Sequence, residues 1–188
     1  MVTYGAIIYF FLLPSEFLPD EKSIYYRILG LIFTRTFLLP VISGFAMKRA
    51  GQISTMKMEN QQERNWPLLM TAIIYIGAYY PLRSRAVPPF IQLYLLGSIV
   101  GILFSLVINL RWKISLHMIG AGGLCGAISA IMYVQEIGNP FLLAGCFLLS
   151  GILGTARLYL KSHSPAQILA GYISGFAIEF LLIFFVFS

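Results

Sequence analysis

Residues 165–187 read PAQILAGYISGFAIEFLLIFFVF, an apolar run with a single charge, Glu179. A helix rises about 1.5 Å per residue, so about 20 apolar residues cross the hydrocarbon core of a bilayer. This run is long enough. It is also continuous rather than alternating, which argues against a barrel strand. Five more segments read the same way: 24–46, 67–82, 89–110, 116–134 and 140–158. Proline or glycine marks most of the gaps, at Pro67, Pro88-Pro89, Gly138-Asn139-Pro140 and Pro165. Segment 67–82 is short and can extend past Pro81. A further apolar stretch, 2–13, is only about 18 Å long as a helix. It reads as a re-entrant piece or as the remnant of a longer span. The expectation is an all-α polytopic bundle of six spanning helices with a short N-terminal apolar segment. One integral membrane domain takes the whole chain, 1–188, with its core at 24–187.

Composition agrees. The chain is 59% hydrophobic and 11% charged, with a mean hydropathy of +0.83. A soluble domain of 188 residues could not bury so much apolar surface. The formal charge of +6 is dispersed over short loops. That pattern fits lipid headgroups or phosphate better than nucleic acid. Cys125 and Cys146 lie inside apolar runs and read as packing residues. The start shows neither a charged n-region nor a small-residue cleavage site, so no removable signal peptide is expected.

If successive spans alternate in direction, the connections 47–66, 111–116 and 157–164 share one face. That face carries Lys48, Arg49, Lys57, Arg64, Arg111, Lys113, Arg157 and Lys161, with both histidines of the chain, His117 and His163. The opposite face carries Lys22, Arg27, Arg83 and Arg85. Two histidines beside clustered cations suit phosphoryl transfer. One imidazole attacks phosphorus and a second protonates the leaving oxygen, while Arg and Lys hold the equatorial oxygens. A carboxylate usually orients the attacking imidazole. Two His and few carboxylates supply no metal-ligand cluster, so neither metal nor cofactor is expected.

Three motifs carry a resemblance. Ala156-Arg157-Leu-Tyr-Leu-Lys-Ser-His163-Ser-Pro-Ala-Gln167 is similar to a Ser-Arg-x5-His-x3-Asp signature, with the Arg-to-His spacing intact. Ile114-Ser115-Leu116-His117 keeps the Ser and His of Pro-Ser-Gly-His. Lys57 and Arg64 have the spacing of Lys-x6-Arg-Pro, with Asn65 in place of Pro. The stretch Asn109-Leu-Arg111-Trp-Lys113, just before the second motif, competes for that role. Together these resemble the type 2 phosphatidic acid phosphatase superfamily over about 24–187. The resemblance implies a phosphohistidine mechanism on a lipid phosphomonoester or pyrophosphate. His163 is then the nucleophile and His117 the general acid, afterwards the base for water. Arg157, Ser115, Arg64 and Lys113 hold phosphate, with Lys57 and Arg111 behind them. The lipid substrates it implies are phosphatidate, phosphatidylglycerol phosphate, polyprenyl pyrophosphate or a phosphorylated saccharolipid.

The largest departure is Gln167 in place of Asp. Its oxygen can accept from His163 Nδ1–H and set the tautomer. It cannot stabilise an imidazolium by charge, and loss of an orienting carboxylate costs as much as ~10⁴ in turnover in serine proteases. Ala156 also lacks a phosphate-binding hydroxyl. Either another acid substitutes (Glu59 and Glu63 are the candidates), or turnover is slow, or the chain binds lipid phosphate without hydrolysing it. A small transporter or flippase component is a further alternative. It rests on Arg35 and Glu179, two charges deep in apolar segments whose depths allow an ion pair, with Arg27 as a competing partner. Gly122-xxx-Gly126 reads as a close-packing face rather than a phosphate cradle. Tyr79, Tyr80 and Trp112 read as interfacial aromatics. The positive-inside rule puts the histidine face in the cytoplasm. The resemblance implies instead the periplasmic or extracellular side of the cell (inner) membrane, and that side is expected.

Overall fold

A computed structural model describes residues 2–12, 22–55, 58, 60–83, 87–136 and 139–188. The described chain is helical, and no strand occurs among the described residues. The helices are α1 (Val2–Leu12), α2 (Lys22–Phe33), α3 (Leu39–Arg49), α4 (Asn65–Leu82), α5 (Pro89–Asn109), α6 (Leu116–Val134), α7 (Pro140–Tyr159) and α8 (Pro165–Phe187). A π-helical turn, Thr34–Leu38, joins α2 to α3. Among the described residues, five helical stretches are long and apolar enough to cross a membrane: Ile24–Arg49, Pro89–Asn109, Leu116–Val134, Pro140–Tyr159 and Pro165–Phe187. By length and composition this is a membrane protein. The expected segment 67–82 does form a helix, α4, but it is not among the five. Asn65, Pro67 and the Tyr79-Tyr80-Pro81 end dilute its apolar middle.

Contacts divide the chain into two compact units, Met1–Ile99 and Val100–Ser188. In the first, the π turn has an identifiable cause. Pro40 has no N–H to give to the carbonyl of Thr36 four residues back. The Leu39 N–H reaches the Thr34 carbonyl instead, one residue further than an α-helix allows. The Thr36 carbonyl accepts from Tyr75 Oη of α4 at 3.0 Å. Thr36 Oγ1 donates to the Ile32 carbonyl at 2.8 Å and meets Thr3 Oγ1 of α1 at 3.0 Å. One backbone defect therefore ties α1 and α4 to the middle of the Ile24–Arg49 helix. Arg35 lies beside it, half-buried, and a Cβ on Gly77 of α4 would sit 3.7 Å from its Nη1. The N-terminal segment packs as a helix: Val2 and Ala6 are buried, and a Cβ on Gly5 would strike the Tyr94 ring.

In the second unit α6 and α8 are pressed together backbone to backbone. A Cβ on Gly122 or Gly126 would overlap the carbonyls of Tyr172 or Phe176. A Cβ on Gly175 would overlap that of Ile119, and on Gly171 it would fall 2.8 Å from that of Ser115. Gly122-xxx-Gly126 is thus a packing face, matched by Gly171-xxx-Gly175 on α8. Gly123 makes room for the Glu179 side chain, which is 3% exposed. On the other flank α7 meets α6 through Cys125 Sγ and Ser150 Oγ, 3.3 Å apart. Ser150 spends its proton on the Cys146 carbonyl at 2.8 Å, so the Cys125 thiol is the donor. The two cysteines are free and buried, as packing residues should be.

Tyr75→Phe should cost about 1–3 kcal/mol of stability, since it strands the Thr36 carbonyl that Pro40 has already deprived of its helical donor. A thermal melt in detergent followed by size exclusion reads this. A melt equal to that of the parent would remove Tyr75 as the tie between α4 and the π turn.

Candidate functional site

The third sequence motif starts in the last turn of α7 and ends in the first turn of α8. The connection, 160–164, is that of a helical hairpin. The Lys161 N–H returns to the Leu158 carbonyl at 2.9 Å and the Ser162 N–H to the Arg157 carbonyl at 3.1 Å. This is a Schellman closure, and its left-handed position falls on Lys161, with φ +50°. Glycine normally takes that place, as Gly51 does after α3 with φ +72°. The turn delivers His163 to the residue before the α8 N-cap. Ser164 Oγ then accepts from the Gln167 N–H at 3.4 Å, and Gln167 Oε1 accepts from the Ser164 N–H at 3.1 Å. The two form a reciprocal capping box.

Gln167 Oε1 also lies 3.1 Å from His163 Nδ1. The Ser164 N–H fixes which end of the Gln167 amide is oxygen, because only the oxygen can receive a backbone donor. His163 Nδ1 must then carry the proton, and Nε2 holds the lone pair. This is the tautomer in which Nε2 is the nucleophilic nitrogen. His163 is 9% exposed, so the ring is fixed inside the protein.

Gln167 has a second attachment through its main chain. Its carbonyl accepts from the Ser115 N–H at 3.4 Å, a weak bond that crosses from α8 to the N-cap of α6. Ser115 stands where capping serines stand, yet its hydroxyl makes no cap bond. Its Oγ is buried and has no hydrogen-bond partner among the described residues, and the residue is 0% exposed. Nε of Arg157 is likewise buried without a partner among the described residues. An orphaned buried hydroxyl costs about 1–3 kcal/mol, and such groups are rare without a reason. Here it sits at the positive end of a helix dipole, beside the positive end of a second helix.

The remaining predicted residues are less closely joined. His117 occupies the first turn of α6, two residues beyond Ser115, and is exposed. Arg111 and Lys113 lie in the α5–α6 connection. Lys113 is the centre of a tight turn closed by Ile114 N–H to the Trp112 carbonyl at 2.9 Å. Arg111 is exposed and Lys113 half-buried. Arg64 closes a 3-10 turn, Gln62–Arg64, in the first unit. Lys57 and Glu59 lie outside the described residues. Glu63 has its own work: its Oε2 accepts from Ser54 N–H at 3.2 Å and Ser54 Oγ at 3.0 Å. Arg35 and Glu179 belong to different units. No group of three or more metal-ligating side chains occurs among the described residues.

Reading from sequence missed two features. Gly171-xxx-Gly175 lies on the same α8 stripe as Gln167, at positions 167, 171 and 175, and the four-residue spacing was the available signal. The capping box was also visible as Ser164-x-x-Gln167. Comparison with protein-family models, with characterised proteins and with solved structures returned no match.

Lys161→Gly should stabilise the protein by about 1 kcal/mol, because glycine adopts the left-handed turn without a Cβ penalty. Ser164→Ala should cost about 1 kcal/mol through loss of the cap. Opposite shifts of the two melting temperatures are the expected result. A lower melt for Lys161→Gly would show that its side chain, not the turn, holds this connection.

Proposed function

We propose that this chain is an integral membrane lipid phosphatase of the type it resembles. It hydrolyses a phosphomonoester or pyrophosphate on a lipid through a phosphohistidine at His163. The observation that carries the reading is the fixed tautomer of His163, with Nδ1–H held by Gln167 Oε1 at 3.1 Å and the lone pair on Nε2. In the first step that lone pair forms a bond to phosphorus and the bond to the lipid oxygen breaks. His117, in its protonated form, gives that oxygen its proton. In the second step neutral His117 takes a proton from water, and the oxygen attacks phosphorus. The N–P bond breaks, and phosphate departs. The Ser115 hydroxyl, Arg157 and the paired N-termini of α6 and α8 hold the phosphoryl oxygens, with Lys113 and Arg111 close in sequence. Residues 1–188 act as one domain in this reading, with α4 as a sixth span. The bond from Tyr75 to Thr36, near the midpoint of Ile24–Arg49, supports that, since it runs α4 alongside that helix at mid-depth. The site then faces the periplasmic or extracellular side of the cell membrane.

One observation favours a second reading. Gln167 is neutral, so it orients His163 without stabilising the imidazolium or phosphoimidazolium that forms. A chain with this arrangement can bind lipid phosphate and turn it over slowly or not at all.

The test is phosphate release by the solubilised protein from phosphatidate, phosphatidylglycerol phosphate, polyprenyl pyrophosphate and a phosphorylated saccharolipid. His163→Ala should lower release about a thousandfold or more. A base-stable, acid-labile phosphoprotein should form on the parent alone. No release from any of these lipids by folded protein would overturn the enzyme reading in favour of binding.

Ser115→Ala separates site from scaffold. It removes an orphaned buried hydroxyl, so the melting temperature should hold or rise. KM should rise about tenfold for loss of one hydrogen bond to a charged group. A falling melt with an unchanged KM would assign Ser115 to the fold alone.

A further inference from the structure

Three stripes run along α8 at four-residue spacing. Gln167, Gly171, Gly175, Glu179 and Ile183 form one, and its last four members are the helix's buried positions, with the two glycines against α6. Leu169, Ile173, Ala177 and Leu181 form another, aliphatic, with three of the four exposed. Between them lies a stripe that the phosphate chemistry does not use and that α6 and α7 cover only in part: Ile168, Tyr172, Phe176, Phe180 and Phe184.

Its rings are ordered. Phe176 and Phe180 stack with centroids 5.7 Å apart and planes at 10°, and Phe180 and Phe184 at 5.9 Å and 9°. Phe147 of α7 leans on its upper part, 6.4 Å from Tyr172 and 6.5 Å from Phe176. Tyr133 of α6 meets Phe184 at 5.6 Å. The stripe residues are all half-buried. At its head, a Cβ on Gly154 of α7 would lie 3.5 Å from Ile168 Cγ2, and Ile168 is the residue after Gln167.

We propose that this stripe is the track for the hydrocarbon tail of the lipid whose phosphate sits at the α6 and α8 N-termini, a single chain long enough to pass the bilayer midplane. The inference rests on the lipid phosphatase reading. Three observations choose this occupant. The track is continuous with the phosphate end, starting one residue from Gln167. It is aromatic where the adjacent outward stripe is aliphatic. Bulk lipid needs no rings, whereas a bound chain gains from rigid flat faces that lose little freedom on contact. From Tyr172 to Phe184 it also runs about 18 Å, more than the ~15 Å of one leaflet. A chain following the whole stripe crosses into the other leaflet, and one file of rings receives one chain rather than two.

The test uses the whole protein in nanodiscs with single-chain alkyl monophosphates of increasing length, beside tail-less phenyl phosphate. For the parent, kcat/KM should climb with chain length until the chain covers the stripe. Phe176→Leu with Phe180→Leu should lower kcat/KM about tenfold for the longest chain and leave phenyl phosphate unchanged. Ile173→Ala with Leu169→Ala, on the outward stripe, should change neither. An equal loss on phenyl phosphate, no dependence on length, or the same loss from the outward pair would overturn the track. A second readout does not need turnover. An alkyl phosphonate with a diazirine at the tail end should crosslink near Phe180 and Phe184 in the parent and in His163→Ala. Such a crosslink without any phosphate release would sink the phosphatase reading and keep the track. Crosslinks spread over Leu169 and Ile173 would sink the track whatever the turnover.

Discussion

Backbone contact between α6 and α8 is the constraint from which the candidate site follows. Lipid tails are as apolar as leucine, so two helices in a membrane gain little from burying large side chains against each other. They gain from approaching closely enough for main-chain atoms to touch. Gly122 and Gly126 on one helix, and Gly171 and Gly175 on the other, remove every Cβ that would prevent it. The approach fixes rotation and height together. It sets the Ser115 N–H within reach of the Gln167 carbonyl, so the two N-termini lie level. Larger side chains at these positions would separate the helices and break that register.

Level N-termini carry an electrostatic consequence. Each helix end holds about half a positive charge, from N–H groups that no helical carbonyl satisfies. Side by side they repel, and an anion between them removes the repulsion. On α8 the capping box satisfies part of this demand, with Ser164 and Gln167 bonding each other's main chain. On α6 the Ser115 hydroxyl caps nothing. The two ends are therefore treated differently: one is closed by its own side chains, and the other keeps a buried hydroxyl uncommitted to the helix. That asymmetry sets His163 on the closed side, rigidly held, and His117 on the open side, exposed.

The sequence made the spans legible because continuous apolar runs punctuated by proline have few alternatives. Proline positions predicted the starts of α5, α7 and α8 to the residue. The helix α4 was legible as a helix, but its polar, proline-bearing ends keep it out of the five stretches long and apolar enough to cross a membrane. The π turn was not foreseen, although Pro40 announces it: the lost donor is visible, while the tyrosine that fills the vacancy lies 39 residues away on another helix. In the site, His163, Gln167 and Ser115 were chosen by local spacing and are joined by hydrogen bonds. Arg64 was chosen by spacing alone, and it belongs to the other compact unit. Local geometry transmits through a helix turn, whereas a cation on a long loop carries no address. The glycine stripe of α8 was equally legible, through its four-residue spacing.

Gln167 ties these threads together. A carboxylate in its place would lie between two helix N-termini and beside His163, where its charge would cancel part of the positive field that attracts phosphate. It would also stabilise His163 in the charged form that builds up as phosphorus is attacked. Gln167 does the reverse on both counts. Under the proposed function, the full positive field would remain for a bound phosphate in the ground state, and charge developing on His163 would receive no help. Only interactions that strengthen in the transition state accelerate a reaction, so in the proposed reaction Gln167 would favour binding over turnover. The capping box makes this exchange structurally free, since the amide oxygen receives the Ser164 N–H and the His163 N–H at the same distance, 3.1 Å. In the proposed reaction, such a site would hold a lipid phosphate longer than speed requires. That is what a long hydrocarbon tail, ordered along α8, would do as well.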